Sequence, residues 1–260
     1  MLSRRRRLPT TASAATLLFV LSACGNPAQQ TLTQALKDSR AVTFPAPGPV
    51  RLAGRLFGSE SDAAGVVLAS EYTSDQRNWF DLADRLASQG YRVLTFDYRG
   101  VCPGGAGGCS QGTKDAEAMP GDIAAAAAYL RSVGTLRLGI VGAVEGGTAA
   151  LVTASHPIRG LTTVVTLSAP QTADGVVAGP TVLQAITVAK KFIAGEADPT
   201  GSQAAQAFYD ESLPPKAVLI LTTADRGTAL LEGNQSEQAR NAIVLSMEQY
   251  VPTSTPSASP

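Results

Sequence analysis

Gly142-Ala143-Val144-Glu145-Gly146 has the frame of a turn that presents a nucleophile, but no nucleophile stands in it. In the pattern G-x-S-x-G a serine sits on a sharp turn between a buried strand and a helix, and the two glycines let the backbone pass close to itself. Here an apolar run from Leu138 to Val141 leads in, a small-residue segment from Thr148 to Ala154 leads out, and the central position is Val144. Valine has no atom that can attack a carbonyl. A base is equally hard to find. The chain holds one histidine, His156, which the elbow helix would carry to its far end, about 15 Å or more from the turn at ~1.5 Å per residue. There it reads as a C-terminal helix residue favoured by the dipole and followed by Pro157. Ser70 and Ser168 fall at predicted strand ends and could substitute as nucleophiles, but neither has a base beside it.

These residues need a scaffold, and the hydrophobic pattern supplies one. Strands are predicted over Val50–Phe57, Gly65–Ala69, Tyr91–Phe96, Arg137–Ala143, Leu161–Leu167, Lys191–Gly195 and Ala217–Thr222, and helices over Arg77–Ser88, Asp122–Arg131, Ser202–Asp210 and Asn234–Tyr250. Gln171–Ala189 reads as a loop with a short helix. Asp75 reads as a helix cap and Trp79 as a core aromatic. Alternating strands and helices imply a mostly parallel central sheet with helices on both faces. Ligands bind such sheets at the carboxyl ends of the strands. The elbow, Asp97, Ser168, Glu196-Ala197-Asp198 and Ala224-Asp225-Arg226 all fall there.

The ends of the chain read differently. Arg4–Arg7 precede an apolar run from Ala14 to Leu21, which is too short to span a bilayer but suits a signal peptide. Leu21-Ser22-Ala23-Cys24 resembles a bacterial lipobox, which is cleaved before its cysteine. The resemblance implies that residues 1–23 are removed and that Cys24 is acylated, with palmitate-type chains holding the protein on a membrane surface. An ordinary secretory signal with a cysteine nearby is the alternative. Cleavage would remove four arginines and no acid, leaving a net charge of −4; a mildly acidic chain implies no nucleic-acid or anionic-lipid surface. Residues 24–44 read as an acylated N-terminus and linker, 45–250 as one domain, and 251–260, rich in Ser, Thr and Pro, as a disordered tail.

Cys102 and Cys109 frame the glycine-rich stretch 103–108. Outside the cytoplasm this pair is most simply a disulfide. A metal pair would need further ligands and no histidine is near, so no metal site and no cofactor is expected; two free thiols are the remaining alternative.

Beyond these local signals, residues 45–250 resemble the α/β-hydrolase family in its small, dienelactone-hydrolase-like form. The resemblance rests on Trp79–Gly90 followed by Asp97-Tyr98-Arg99-Gly100, on the elbow frame, on Ala194-Gly195-Glu196-Ala197-Asp198, and on Gly227-Thr228-Ala229-Leu230-Leu231. It implies a three-layer fold without a large lid. It also implies a triad of Ser, acid and His in chain order, with an oxyanion hole of backbone N–H groups. The matching positions are Val144, Asp198 and Arg226, and the hole falls at Glu71 and Glu145. Arginine stays protonated and cannot act as a general base. Asp198 is either an inherited acid now paired with Arg226 or a cap on the turn before Pro199. Glu145 either crowds the hole or serves as a first-turn acid favoured by the helix dipole.

The expected protein is a lipid-anchored, extracytoplasmic pseudoenzyme of the bacterial cell envelope that binds a small ester-like or lipidic ligand or an envelope protein. The rival expectations are an active hydrolase with water activated by Asp198 or Glu145, and a structural or assembly lipoprotein whose cleft is filled.

Overall fold

The computed structural model describes residues 36, 37 and 39–253. The signal segment, Cys24 and residues 254–260 lie outside the described residues. Strands β1 (Ser39–Ala46), β2 (Val50–Phe57), β3 (Ala64–Ala69), β4 (Arg92–Phe96), β5 (Arg137–Ala143), β6 (Leu161–Leu167), β9 (Ala189–Gly195) and β10 (Lys216–Leu221) form one sheet in the order β1-β2-β4-β3-β5-β6-β9-β10; β7 (Thr172–Ala173) and β8 (Val176–Val177) form a separate hairpin. β1 and β2 run antiparallel to their neighbours and every later pairing in the large sheet is parallel.

Helices cover both faces, as parallel strands buried on two sides require. Helices α2 (Met119–Ser132), α3 (Glu145–Ala154), α4 (Pro180–Ala185) and α5 (Pro199–Glu211) pack on one face, where Phe96, Ile140, Val164 and Phe192 look outward into them. Helices α1 (Phe80–Ser88) and α6 (Ser236–Tyr250) pack on the other, against Val66, Val93, Val141 and Val165. Trp79 is fully buried beneath α1, and Asp75 caps the 3₁₀ turn that precedes it by accepting from Arg77 N.

Two differences from the sequence expectation concern the sheet. The domain begins at Ser39, inside the stretch read as linker, because β1 pairs along its whole length with β2. Its pattern is mostly exposed, with only Phe44 and Ala46 buried, so it carries little apolar alternation. Arg51 and Arg55 reach across it to Thr43 and Ser39. At the other end Val251 is fully buried and Pro252 O accepts from Arg137, so the domain continues past residue 250.

The stretch read as loop and short helix holds the β7–β8 hairpin as well as α4. Asp174 and Gly175 both have positive φ, the conformation a two-residue hairpin turn demands. Between Ser168 and Val188 no large lid forms among the described residues. A disulfide joins Cys102 to Cys109; closing so short a loop contributes about 2–3 kcal/mol in the chain-entropy model.

Candidate functional site

The carboxyl ends of the parallel strands carry Ser70 after β3, Asp97 after β4, Val144 after β5, Ser168 after β6, Asp198 after β9 and Arg226 after β10. The turn at Val144 is a true elbow. Its φ is +50° and its N–H donates to Leu167 O at 2.9 Å. A Cβ on Gly142 would overlap the Gly146 carbonyl, and one on Gly146 would overlap the Ser70 carbonyl and meet Ala69 O at 2.7 Å. Both glycines are therefore compulsory. A β-branched residue at positive φ costs about 1–2 kcal/mol, which burial of its side chain, worth about 1.5–3 kcal/mol, offsets. Val144 is 4 % exposed.

What buries it decides the character of the site. Gly227, the first residue of a 3₁₀ turn over Gly227–Leu231, lies directly against it: a Cβ added there would stand 2.6 Å from Val144 Cγ2 and would overlap Glu71 Oε1. Glu71 in turn accepts from Thr228 N at 2.9 Å and from Thr228 Oγ1 at 3.1 Å. Glu145 Oε2 accepts from Tyr72 N at 3.1 Å. Two carboxylates are thus held by donors at this edge. Ser70 and Ser168 are buried, and their hydroxyls have no hydrogen-bond partner among the described residues. Tyr98, also without a partner, is buried beside Gly146; burial, then the charges of Asp122 and Glu145, push its pKa well above the ordinary phenol value.

Asp198 and Arg226 do come together, loosely. The guanidinium Nε lies 4.0 Å from Asp198 Oδ2, while Asp198 Oδ1 caps α5 by accepting from Gly201 N at 3.1 Å. Asp198 thus lies beside Arg226 and caps α5 at the same time. Arg226 is 48 % exposed, so the pair contributes little. Arg226→Ala is expected to cost under about 1 kcal/mol and Asp198→Ala about 1 kcal/mol through the lost cap, both read from urea midpoints.

His156 stays at the end of the elbow helix, exposed, with Nδ1 3.0 Å from Val152 O. The cavities described, of about 560, 370 and 330 Å³, are lined around Pro157–Arg159 and Gly175–Val177, and none includes Val144. No cluster that could hold a metal ion occurs among the described residues.

Next to this site Asp97 anchors a buried network. Its carboxylate accepts from Gln76 N at 2.9 Å and Gln76 Nε2 at 2.8 Å, and Gln76 also donates to Gly107 O in the disulfide loop. Burial pushes the Asp97 carboxyl up to about 6 despite those two bonds. The folded state then holds the proton more tightly than the unfolded chain. The stability this contributes is complete below the unfolded value of 3.8 and is lost as pH rises through about 6. The swing is about 3 kcal/mol. Urea midpoints of wild type are expected to fall relative to those of Asp97→Asn between pH 4 and pH 7.

The arrangement of sheet, elbow and covering helices is matched in solved structures. A dienelactone hydrolase from Anabaena variabilis superposes with a TM-score of 0.68 at 18 % identity over 82 % of this chain and 98 % of that one. The chain has the α/β-hydrolase fold. An esterase of Pyrococcus furiosus gives 0.69 at 17 % identity over 84 % of this chain and 94 % of its own. The esterase domain of a Rhodothermus marinus protein gives 0.63 at 19 % over 82 % and 99 %. No family model and no curated protein matches. Within the α/β-hydrolase fold the elbow is where a nucleophile is presented; this chain places a packed valine there.

The sequence pointed to Glu71, Glu145 and Val144 but not to their partners. Tyr72 and Thr228 act through backbone N–H groups across 73 and 157 residues of chain, which residue type does not reveal. Gly227 was the available signal, because a glycine beside Arg226 permits backbone to approach the elbow.

Proposed function

We propose that this is an extracytoplasmic lipoprotein, held on the bacterial envelope membrane through Cys24, whose α/β-hydrolase domain performs no serine-hydrolase turnover and works by binding an envelope protein. The observation that carries the reading is how the chain packs at the elbow. Gly227 packs on Val144, and the N–H groups of Thr228 and Tyr72 are engaged by Glu71 and Glu145. An acyl intermediate would need a nucleophile, a base and free donors at the developing oxyanion. Val144 supplies no nucleophile, Arg226 no base, and the Glu71 and Glu145 carboxylates stand beside the positions where the oxyanion would develop. The filled cleft favours a protein partner over a small ester-like ligand.

The test is turnover of p-nitrophenyl esters and labelling by a fluorophosphonate probe. Background rates and no label are expected. Ester turnover that disappears in Ser70→Ala or Ser168→Ala would overturn the reading. One observation favours the rival, in which a carboxylate activates water: Asp198 Oδ2 is buried without a hydrogen-bond partner among the described residues. Activity abolished by Asp198→Asn, with no fluorophosphonate label, would favour it.

A further inference from the structure

The sheet has a second edge, opposite the elbow, and it too has a definite character. Strand register places Ser39 beside Phe57, Phe57 beside Val93, Ala64 beside Arg137 and Leu138 beside Leu161. The chain therefore enters β1 at the amino ends of the parallel strands. Leu36 packs into the core there and its carbonyl accepts from Arg55. Pro252 lies on the same edge, against Arg137. Twelve residue steps separate Cys24 from Leu36, a reach of at most about 40 Å.

At the middle of that edge two turns lie against each other. Leu138 N donates to Gly160 O at 2.8 Å, and Arg131 Nη1 donates to Thr135 O and Leu136 O at 2.7 and 2.8 Å. Together they present an apolar tip flanked by Arg131 and Arg159. Leu136 is 60 % exposed, and Pro157 is exposed beside half-buried Ile158. Arg131 and Arg159 flank the 560 Å³ groove with Pro157 and Ile158, and His156 flanks the adjoining one. Between residues 123 and 173 the sole carboxylate is Glu145, at the opposite edge. The carboxylates of this edge belong to other segments: Glu60 against Arg40, Asp62 in the β2–β3 turn whose Ala63 O accepts from Leu136 N, Asp210 and Glu211 at the end of α5, and Glu248 near the end of α6.

We propose that this edge rests on the lipid bilayer, with Leu136 and Pro157 among the headgroups and Arg131 and Arg159 on their phosphates, so that the cleft edge points away from the membrane. The inference rests on the lipid-anchored reading. A lone exposed leucine among cations gives weak affinity by itself, but an acyl tether supplies the effective concentration that makes a weak contact persist. Each cation near an anionic surface adds to it.

The full acylated chain is reconstituted in vesicles of phosphatidylethanolamine and phosphatidylglycerol at 3:1. A fluorophore is placed at Leu136→Cys or, on the cleft edge, at Ala229→Cys; Cys102 and Cys109 are closed by their disulfide and Cys24 by acylation. Lipid-borne nitroxides are expected to quench the first label severalfold more than the second. Adding Arg159→Glu is expected to bring the two towards parity. Intact mass reports Cys24 separately. An unmodified cysteine would overturn the anchored reading and the proposal with it. An acylated chain with equal quenching at both labels, as docking on a protein would give, would overturn the proposal alone.

Discussion

The double variant Val144→Ser, Arg226→His is expected to stay at background esterase rates even though it restores both missing residue types. The serine would sit on a correctly formed elbow, with φ already at +50°. Gly227 would still lie against it, and Tyr72 N–H would still donate to Glu145 Oε2. The Glu145 carboxylate, held beside the turn by Tyr72 N–H, would repel the developing charge. Adding Glu71→Ala and Glu145→Ala removes both charges from beside the hole and is expected to raise p-nitrophenyl acetate hydrolysis above the double variant by about 10²–10³. The comparison between double and quadruple variants separates lost residues from a closed site. A double variant that is already active would mean that neither carboxylate obstructs the site.

Gly146→Ala is expected to abolish folding, an outsized effect for one methyl group. Its Cβ would overlap Ser70 O and stand 2.7 Å from Ala69 O and 3.0 Å from Tyr98 Oη. Two of those three atoms are backbone of the neighbouring strand end, so relief requires moving β3 against β5. Ordinary overpacking costs about 1–3 kcal/mol; a clash with two carbonyl oxygens at a buried turn exceeds that and reaches the range of about 4–5 kcal/mol or more. A domain whose whole stability is about 5–15 kcal/mol does not absorb it comfortably. Gly179→Ala is the control. Its nearest neighbour is 3.9 Å away, and its expected change is within about 1 kcal/mol. Urea unfolding followed by circular dichroism reads both.

Legibility in the sequence followed how local each determinant is. The predicted bounds of β2, β5 and β6 are the observed ones; for β5 and β6 this is because a strand buried on both faces is written in its own residues. β1 escaped because six of its eight positions are not buried and its stability comes from pairing with β2. The β7–β8 hairpin had a signal, the dipeptide Asp174-Gly175, but two-residue strands show no period. At the site, the absence of a nucleophile at Val144 and of a base beside it could be read from residue types alone. The packing at the elbow could not, since it depends on the approach of Gly227 and on two backbone donors from distant segments.

Closure is most directly read from amide hydrogen exchange at Tyr72 and Thr228, both of which lie outside regular strands and would otherwise exchange at loop rates. With their N–H groups bonded to Glu145 and Glu71, both amides are expected to be protected, and each to lose that protection selectively in Glu145→Ala or Glu71→Ala. Fast exchange at both positions in the unaltered protein would mean that the two carboxylates are not held at the elbow, and would contradict the proposed packing over it.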